Sequence, residues 1–174
     1  PTPSASPGQS ATVIADPRNP ALGWRIYLAG GDAGDAVAAF GARAADAAEW
    51  TGRRIALGIP ESGTELVPEE TFILEAGLER LSGVDFRKGC YVGQEVTARM
   101  KHKATLKKGL LRVELEGTAP PGTPVTTAAG KPTGTLFSSE SGQGLALLRL
   151  DRAEPPLTAG EARITACDPP ASEG

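Results

Sequence analysis

The chemistry in this sequence centres on Cys90, which lies in a short run rich in glycine and basic residues. Gly89 and Gly93 bracket this stretch, and glycine permits tight turns and close approach of the backbone to another group. Arg87 and Lys88 precede the sulfur and favour the thiolate over the thiol. The thiolate is the nucleophile and the metal ligand, so Cys90 is the candidate reactive thiol. The alternative is a buried, inert cysteine in a glycine-rich turn.

The residues that follow Gly93 predict a helix that begins close to this cysteine. The run 94–100 has helix-compatible composition, and Val96 and Met100 are four residues apart on one face. A helix N-terminus carries about half a positive charge and free N–H groups, which also favour a nearby thiolate. We therefore expect Cys90 in a tight loop just before a helix.

Basic residues cluster in and behind this predicted helix. Six cationic or titratable side chains fall within ten positions: Arg99, Lys101, His102, Lys103, Lys107 and Lys108. They predict either a solvated connector between two regions or an edge that meets an anion, such as a carboxylate tail or a phosphate.

Metal-binding and disulfide patterns are absent from the sequence. Cys90, Cys167 and His102 have no metal-ligand spacing, and Cys and His alone cannot form a closed four-ligand zinc site. Nothing in the settings of the two cysteines requires a disulfide, and Cys167 is interpreted as a structural residue at a strand end. The sequence therefore predicts no metal site.

The composition excludes several classes of protein. The chain has 174 residues, of which 18 are basic and 21 acidic, giving a formal net charge of −3. This mildly acidic balance argues against a nucleic-acid partner, and no run reaches the roughly 18 apolar residues that a membrane span needs. A modest share of strongly apolar residues predicts a folded protein with a lean, alanine-padded core.

The elements of the first half predict an α+β region. Strands are predicted at 10–14 and 22–29, where apolar and polar residues alternate so that one face is half-buried. A helix is predicted at 32–57, in one or two pieces, and a helical turn at 73–81. Between them, the loop 58–71 carries four glutamates, which predict a solvated loop: Glu61, Glu65, Glu69 and Glu70.

From about residue 104 the chain changes to short strands separated by turn residues. Strands are predicted at 107–115, 124–128, 133–139, 143–150 and 162–166, and 155–160 is predicted as a turn. This spacing favours a small β-barrel or a sandwich. The predicted organisation is a linker (1–9), an α+β region (10–103), a barrel (104–168) and a tail (169–174).

One segment resembles the signature of a known family. Lys88-Gly89-Cys90-Tyr91-Val92-Gly93-Gln94-Glu95 matches the K-G-C-Y-x-G-Q-E signature of the YgfZ-type folate-binding proteins, which are relatives of the glycine-cleavage T-protein. Asp16-Pro17-Arg18 and the segments 22–25 and 54–60 also resemble family segments. The resemblance covers about residues 12–166.

The resemblance implies an α+β fold. It consists of a ferredoxin-like second part of a GcvT-like fold, followed by a small C-terminal β-barrel. Roughly the first third of the family pattern is missing ahead of Thr12, so the Pro/Ser-rich start is interpreted as a connector. Ile73-Leu74 stands where the family has Pro-His.

The resemblance also implies a function, namely binding of tetrahydrofolate in support of iron–sulfur cluster assembly or repair. Cys90 would be the functional thiol and a possible transient cluster ligand, with Lys88 as its close partner. The folate contacts would come from Tyr91, Gln94, Glu95 and Arg99. Expected partners are folate and iron–sulfur enzymes or assembly proteins, in the bacterial cytoplasm or, in a eukaryote, the mitochondrial matrix.

Two alternatives remain open at this point. The first is a folate-dependent aminomethyltransferase of T-protein type, which is the one-carbon transfer expected if the chain is an enzyme. The Cys-bearing signature argues against it, because transfer in the T-protein relatives does not use that cysteine. The second is a non-catalytic interaction module that has lost its ligand.

Overall fold

The structure is a computed structural model, and it describes residues 11–30, 33–103 and 106–169. The predicted linker 1–9 and most of the predicted tail, 170–174, lie outside the described residues. Within the described part of the chain, no helix has the length and apolar character that crossing a membrane requires.

A two-stranded antiparallel sheet opens the described chain, as predicted. It pairs β1 (Ala11–Ala15) with β2 (Trp24–Leu28). The buried Asp16 holds the intervening turn, since its carboxylate accepts hydrogen bonds from Arg18 and Arg25 at 2.7–3.0 Å. This hairpin is therefore organised by a local polar network.

The prediction of a half-buried face on β2 is wrong. Trp24 is 42% exposed and Ile26 is 37% exposed. Their alternation with Arg25 and Tyr27 does place them on one face, but no helix or strand among the described residues packs closely over that face.

The predicted helix at 32–57 forms in two pieces. They are α1 (Ala33–Ala39) and α2 (Ala47–Ala56), separated by a turn at Gly41, whose φ of 64° suits glycine. Asp46 caps α2 by accepting a 2.7 Å hydrogen bond from the backbone N–H of Glu49. The helix then packs on the barrel through the fully buried Ile55.

Residues 72–83 form consecutive helical turns, and a third helix follows the glycine-rich stretch. The backbone N–H of Leu78 donates to the carbonyl of Ile73 at 3.0 Å, and that of Gly83 donates to Leu78 at 2.7 Å. The third helix, α3, spans Gln94–Lys103, which extends the predicted run 94–100.

Six antiparallel strands close into a barrel in the order β3-β6-β5-β4-β7-β8. The strands are β3 (Lys108–Glu116), β4 (Thr123–Thr127), β5 (Pro132–Glu140), β6 (Gln143–Arg149), β7 (Leu157–Ala159) and β8 (Ala162–Asp168). β7 falls inside the stretch predicted as a turn at 155–160. It has three residues, too few to show an alternating pattern, yet it pairs with both β4 and β8 and so closes the barrel.

The barrel interior is packed with small and medium apolar side chains. Val113, Leu136 and Ile164 are fully buried. At Gly134 on β5 a Cβ atom would lie 1.9 Å from the carbonyl oxygen of Leu147, so only glycine allows β5 and β6 to approach this closely.

The loop 58–71 is not uniformly solvated, which corrects the prediction for Glu65. Its side chain is fully buried, 3.0 Å from the Arg54 guanidinium of α2, and it accepts a hydrogen bond from Ser138 of β5. The more exposed Glu61 lies 3.4 Å from the same guanidinium. Only Glu65 faces inward, and it joins the α+β region to the barrel. The described residues of the α+β region form the hairpin and helices, so a ferredoxin-like arrangement stays a prediction.

Candidate functional site

Cys90 lies on the surface in an irregular stretch, four positions before α3 begins at Gln94. Gly93 takes a φ of 85°, which turns the chain into the helix. The neighbouring Val92 is fully exposed. The thiol is therefore open to a large reaction partner, and the alternative of a buried cysteine does not apply.

The turn around Cys90 is held by its own neighbours. The backbone N–H of Tyr91 donates to Oε1 of Gln94 at 3.2 Å, and the backbone N–H of Gln94 donates back to the Tyr91 carbonyl at 3.2 Å. The Lys88 ammonium lies 4.7 Å from the centre of the Tyr91 ring, a cation–π contact. The structure thus brings Lys88, Tyr91 and Gln94 together around the cysteine.

Two further residues expected to contact folate pair with each other. Glu95 and Arg99 are one helical turn apart on α3, with 2.9 Å between carboxylate and guanidinium. Both side chains are largely exposed, so this pair is weak and opens at little cost.

The basic run is partly neutralised inside the protein. The Lys101 ammonium lies 2.7 Å from both carboxylate oxygens of Glu79 in the helical turns. Lys107 and Lys108 are exposed. The side chains of His102 and Lys103 are not among those that the structure describes. Two cations of the run, Arg99 and Lys101, therefore face carboxylates of this chain.

Three surface cavities among the described residues are lined by side chains other than the predicted folate contacts. One of about 590 Å³ lies at one end of the barrel beside Lys131 and Arg152. Another of about 480 Å³ lies between Arg18 and Leu81. A third of about 210 Å³ lies between Leu74 and α3. Tyr91, Gln94, Glu95 and Arg99 line none of these three.

Metal-ligand groups are equally sparse around the thiol. Within the described ranges, no group of three or more His, Cys, Asp or Glu side chains is arranged to hold a metal ion.

The second cysteine has a different environment. Cys167 of β8 is half-buried against the barrel core, and burial raises the pKa of its thiol to about 11. Both cysteines are free thiols. Cys167 is therefore protonated and unreactive at neutral pH.

Sequence reasoning missed Glu79 and Phe86 as neighbours of the basic run. The Phe86 ring centre lies 5.4 Å from the Lys101 ammonium. Glu79 is separated from Lys101 by 22 positions, and no periodicity or motif links residues that far apart. Only the fold brings them together.

Several known proteins that are similar to this chain are named as iron–sulfur cluster assembly factors. Residues 107–173 match the family described as the CAF17 C-terminal beta-barrel domain. The chain is 36% identical over 155 residues to the mitochondrial iron-sulfur cluster assembly factor IBA57 of Homo sapiens, covering 86% of this chain and 43% of that protein. For the Mus musculus protein of the same name, identity is 39% over 151 residues, covering 83% and 41%.

A fungal relative extends the same pattern. The mitochondrial iron-sulfur cluster assembly factor IBA57 homolog of Mycosarcoma maydis is 33% identical over 180 residues, covering 85% of this chain and 44% of that protein. The chain thus spans less than half the length of these curated relatives. These relatives are named as iron–sulfur cluster assembly factors, and the matched family model spans the strands of the barrel.

Proposed function

We propose that this chain takes part in the assembly or repair of iron–sulfur clusters, as a YgfZ-type member of the T-protein-like folate-binding family, with Cys90 as its reactive thiol. One observation carries the proposal. The K-G-C-Y-x-G-Q-E signature stands on an exposed turn, in a chain whose relatives are named as cluster assembly factors.

The surroundings of Cys90 suit a thiol that meets a protein-bound cluster. Its sulfur would displace one thiolate ligand of an iron atom of the cluster, and the displaced thiolate would take up the proton that the Cys90 thiol gives up. Lys88, Cys90 and Val92 are all exposed, which leaves room for a large partner. Because one cysteine supplies one ligand, the cluster is a cargo that the partner also holds.

Lys88 contributes charge without contacting a carboxylate in the described structure. Its ammonium lies over the Tyr91 ring. Lys88 is two positions before Cys90 in the sequence. A cation placed there favours the approach of an anionic cluster. Lys88 is thus proposed as the electrostatic partner of Cys90.

Tetrahydrofolate belongs to the proposal through the resemblance, and we derive no step through it. The residues that would contact it are engaged with one another, through the Tyr91–Gln94 hydrogen bonds and the Glu95–Arg99 pair. Of these contacts the exposed ion pair is the easiest to open, so Arg99 is the residue proposed to meet the folate carboxylates.

The role of the thiol is tested by replacing each of the two cysteines by alanine in a separate variant. In cells that depend on this protein for the activity of an iron–sulfur enzyme, Cys90→Ala is expected to lower that activity to the level of the deletion. Cys167→Ala is the matched control and should retain the activity, because Cys167 belongs to the barrel wall. Full enzyme activity with Cys90→Ala would overturn the proposal.

Folate binding is tested by titrating tetrahydrofolate and following tryptophan fluorescence. Saturable binding that weakens at least about tenfold in Arg99→Ala is expected if the guanidinium meets a carboxylate. The matched control is Lys131→Ala, which removes an exposed cation from the turn between β4 and β5. If wild-type protein shows no saturable binding, folate is not a ligand of this chain.

A further inference from the structure

The segment 86–103, which we call the Cys90 segment, is closed on itself by one side chain. The Lys101 ammonium lies 2.7 Å from both carboxylate oxygens of Glu79 and 5.4 Å from the centre of the Phe86 ring. Phe86 is the first residue of the segment, and Lys101 lies in the last turn of α3. One ammonium therefore joins the start of the segment, its end and the helical turns at 72–83.

We infer that Lys101 is a positioning residue for Cys90, acting through Glu79 and Phe86. The inference rests on the proposed role of Cys90 as the reactive thiol. Joining Phe86 to Lys101 restricts the conformations of the residues between them, because the ends of that loop can no longer separate. The contact with Glu79 then fixes the closed loop on the body of the protein.

Few other contacts between elements fix the position of α3. No helix or strand among the described residues packs extensively against α3. Its Glu95–Arg99 pair lies within the helix, so it stiffens α3 without docking it. Beneath the helix, Leu74 and Met100 border a cavity of about 210 Å³, so packing there is loose. The Lys101–Glu79 pair is therefore the principal polar contact between α3 and the helical turns in the described structure.

The nature of this contact makes the docking sensitive to salt. The Lys101 and Glu79 side chains are 42% and 44% exposed, so dissolved ions screen their attraction. The barrel is held by buried apolar side chains and strand pairing, so screening its half-exposed Arg112–Asp168 pair should change its stability little. Ionic strength should then act on the Cys90 segment and leave the barrel unchanged.

Amide hydrogen exchange in the intact chain tests the docking. At low salt, Lys101→Met and Glu79→Gln should each raise exchange of the amides at 86–100 by about threefold, and about 0.5 M salt should do the same to wild-type protein. The exchanged pair Lys101→Glu with Glu79→Lys should restore protection. Lys108→Met removes an exposed cation outside the segment and should have no effect.

Unchanged exchange in Lys101→Met would overturn the inference, and so would an equal rise across the barrel amides, which would indicate general loss of stability. The positioning of the thiol itself is read from the rate at which iodoacetamide modifies Cys90. That rate should change in Lys101→Met and return in the exchanged pair, which keeps the net charge; an unchanged rate in Lys101→Met would also count against the inference. If Cys90→Ala retains cluster-enzyme activity, the proposed function fails, whereas the hydrogen-exchange result stands or falls by itself.

Discussion

The barrel and the Cys90 segment are held by different forces. In the barrel, side chains such as Val125, Leu136 and Leu148 are fully buried, and the strands close with no free edge. In the Cys90 segment, Val92 is fully exposed and the side-chain contacts are polar, short-range or half-exposed. The comparison separates a region that carries stability from a region that is available for chemistry.

The two cysteines illustrate the same division. Cys167 rests against the barrel core, and burial disfavours its thiolate. Cys90 lies on an exposed turn that includes glycines and a lysine. The same side chain is thus a packing residue in one region and a candidate reagent in the other.

The largest effect on stability is expected when a glycine of the barrel is replaced by alanine. Gly134→Ala would place a Cβ atom 1.9 Å from the Leu147 carbonyl oxygen, so β5 and β6 could not pair. We expect the barrel to unfold. The variant would then lose the whole free energy of unfolding, which is about 5–15 kcal/mol for a typical domain. Circular dichroism and urea unfolding measure it.

Gly89→Ala is the matched change in the Cys90 segment. No atom lies within 4 Å of a Cβ built there, and the backbone does not have a positive φ. Its unfolding free energy should stay within about 0.5 kcal/mol of wild type. If Gly134→Ala unfolds at the same urea concentration as Gly89→Ala, the barrel is not closed as described.

A smaller effect is expected at the junction of the α+β region with the barrel. Glu65→Gln would leave the buried Arg54 guanidinium with only the half-exposed Glu61 as a charge partner, at a cost approaching the about 3–5 kcal/mol of a broken buried ion pair. Replacing both residues by methionine should recover much of that loss, because no uncompensated charge is then buried. Thermal unfolding measures both variants.

Glu70→Gln provides the control within the same loop. Glu70 is exposed, so its unfolding free energy should change by no more than about 0.5 kcal/mol. Equal destabilisation by the two substitutions would show that the charge of the loop matters, and not the buried pair.

The hairpin tests whether polar contacts alone can hold an exposed element. Hydrogen bonds from Arg18 and Arg25 hold the pKa of Asp16 well below its ordinary value of 3.8. The stabilisation from the ionised carboxylate is therefore complete above about pH 5, roughly one unit above the ordinary pKa, and is lost progressively as the pH falls below that. We expect amide protection of β1 and β2 to fall between about pH 5 and 2 while the barrel amides stay protected.

Asp16→Asn separates this effect from general acid unfolding. The variant should lose about 1–3 kcal/mol of local stability at neutral pH, because an amide accepts weaker hydrogen bonds from the two arginines. It should also lose the acid dependence of the hairpin. A hairpin that loses protection at the same pH in both proteins would assign the effect to other carboxyl groups.

The elements that the sequence predicted well are those with a strong local pattern. The apolar stretch that became β6 and the turn residues around it predicted a strand and a barrel or sandwich. The helix predicted in one or two pieces formed as α1 and α2. The position of Cys90 before a helix was likewise predicted from neighbouring residues. In each case the information lies within about one helical or strand length.

The features that sequence reasoning missed depend on residues far apart in the chain. Glu65 looks like its exposed neighbours, and only Arg54 and Ser138 distinguish it. The exposure of Trp24 depends on what packs over the hairpin, which alternation does not report. The Glu79–Lys101 contact has the same origin, so pairing across segments accounts for all three.

The smallest effect expected is the difference in reactivity between the two thiols. At pH 8, iodoacetamide should modify Cys90 about tenfold faster than Cys167 or more, because Cys90 is exposed and burial raises the pKa of Cys167 to about 11. The Cys167 rate should rise about tenfold per pH unit between pH 7 and 10, as its small thiolate fraction grows. Mass spectrometry of the two cysteine peptides follows both rates in one sample, and Cys167→Ala and Cys90→Ala assign each signal. Equal rates in folded protein would mean that the barrel does not shield β8, and the division between a packed barrel and an open Cys90 segment would then fail at its most direct point of comparison.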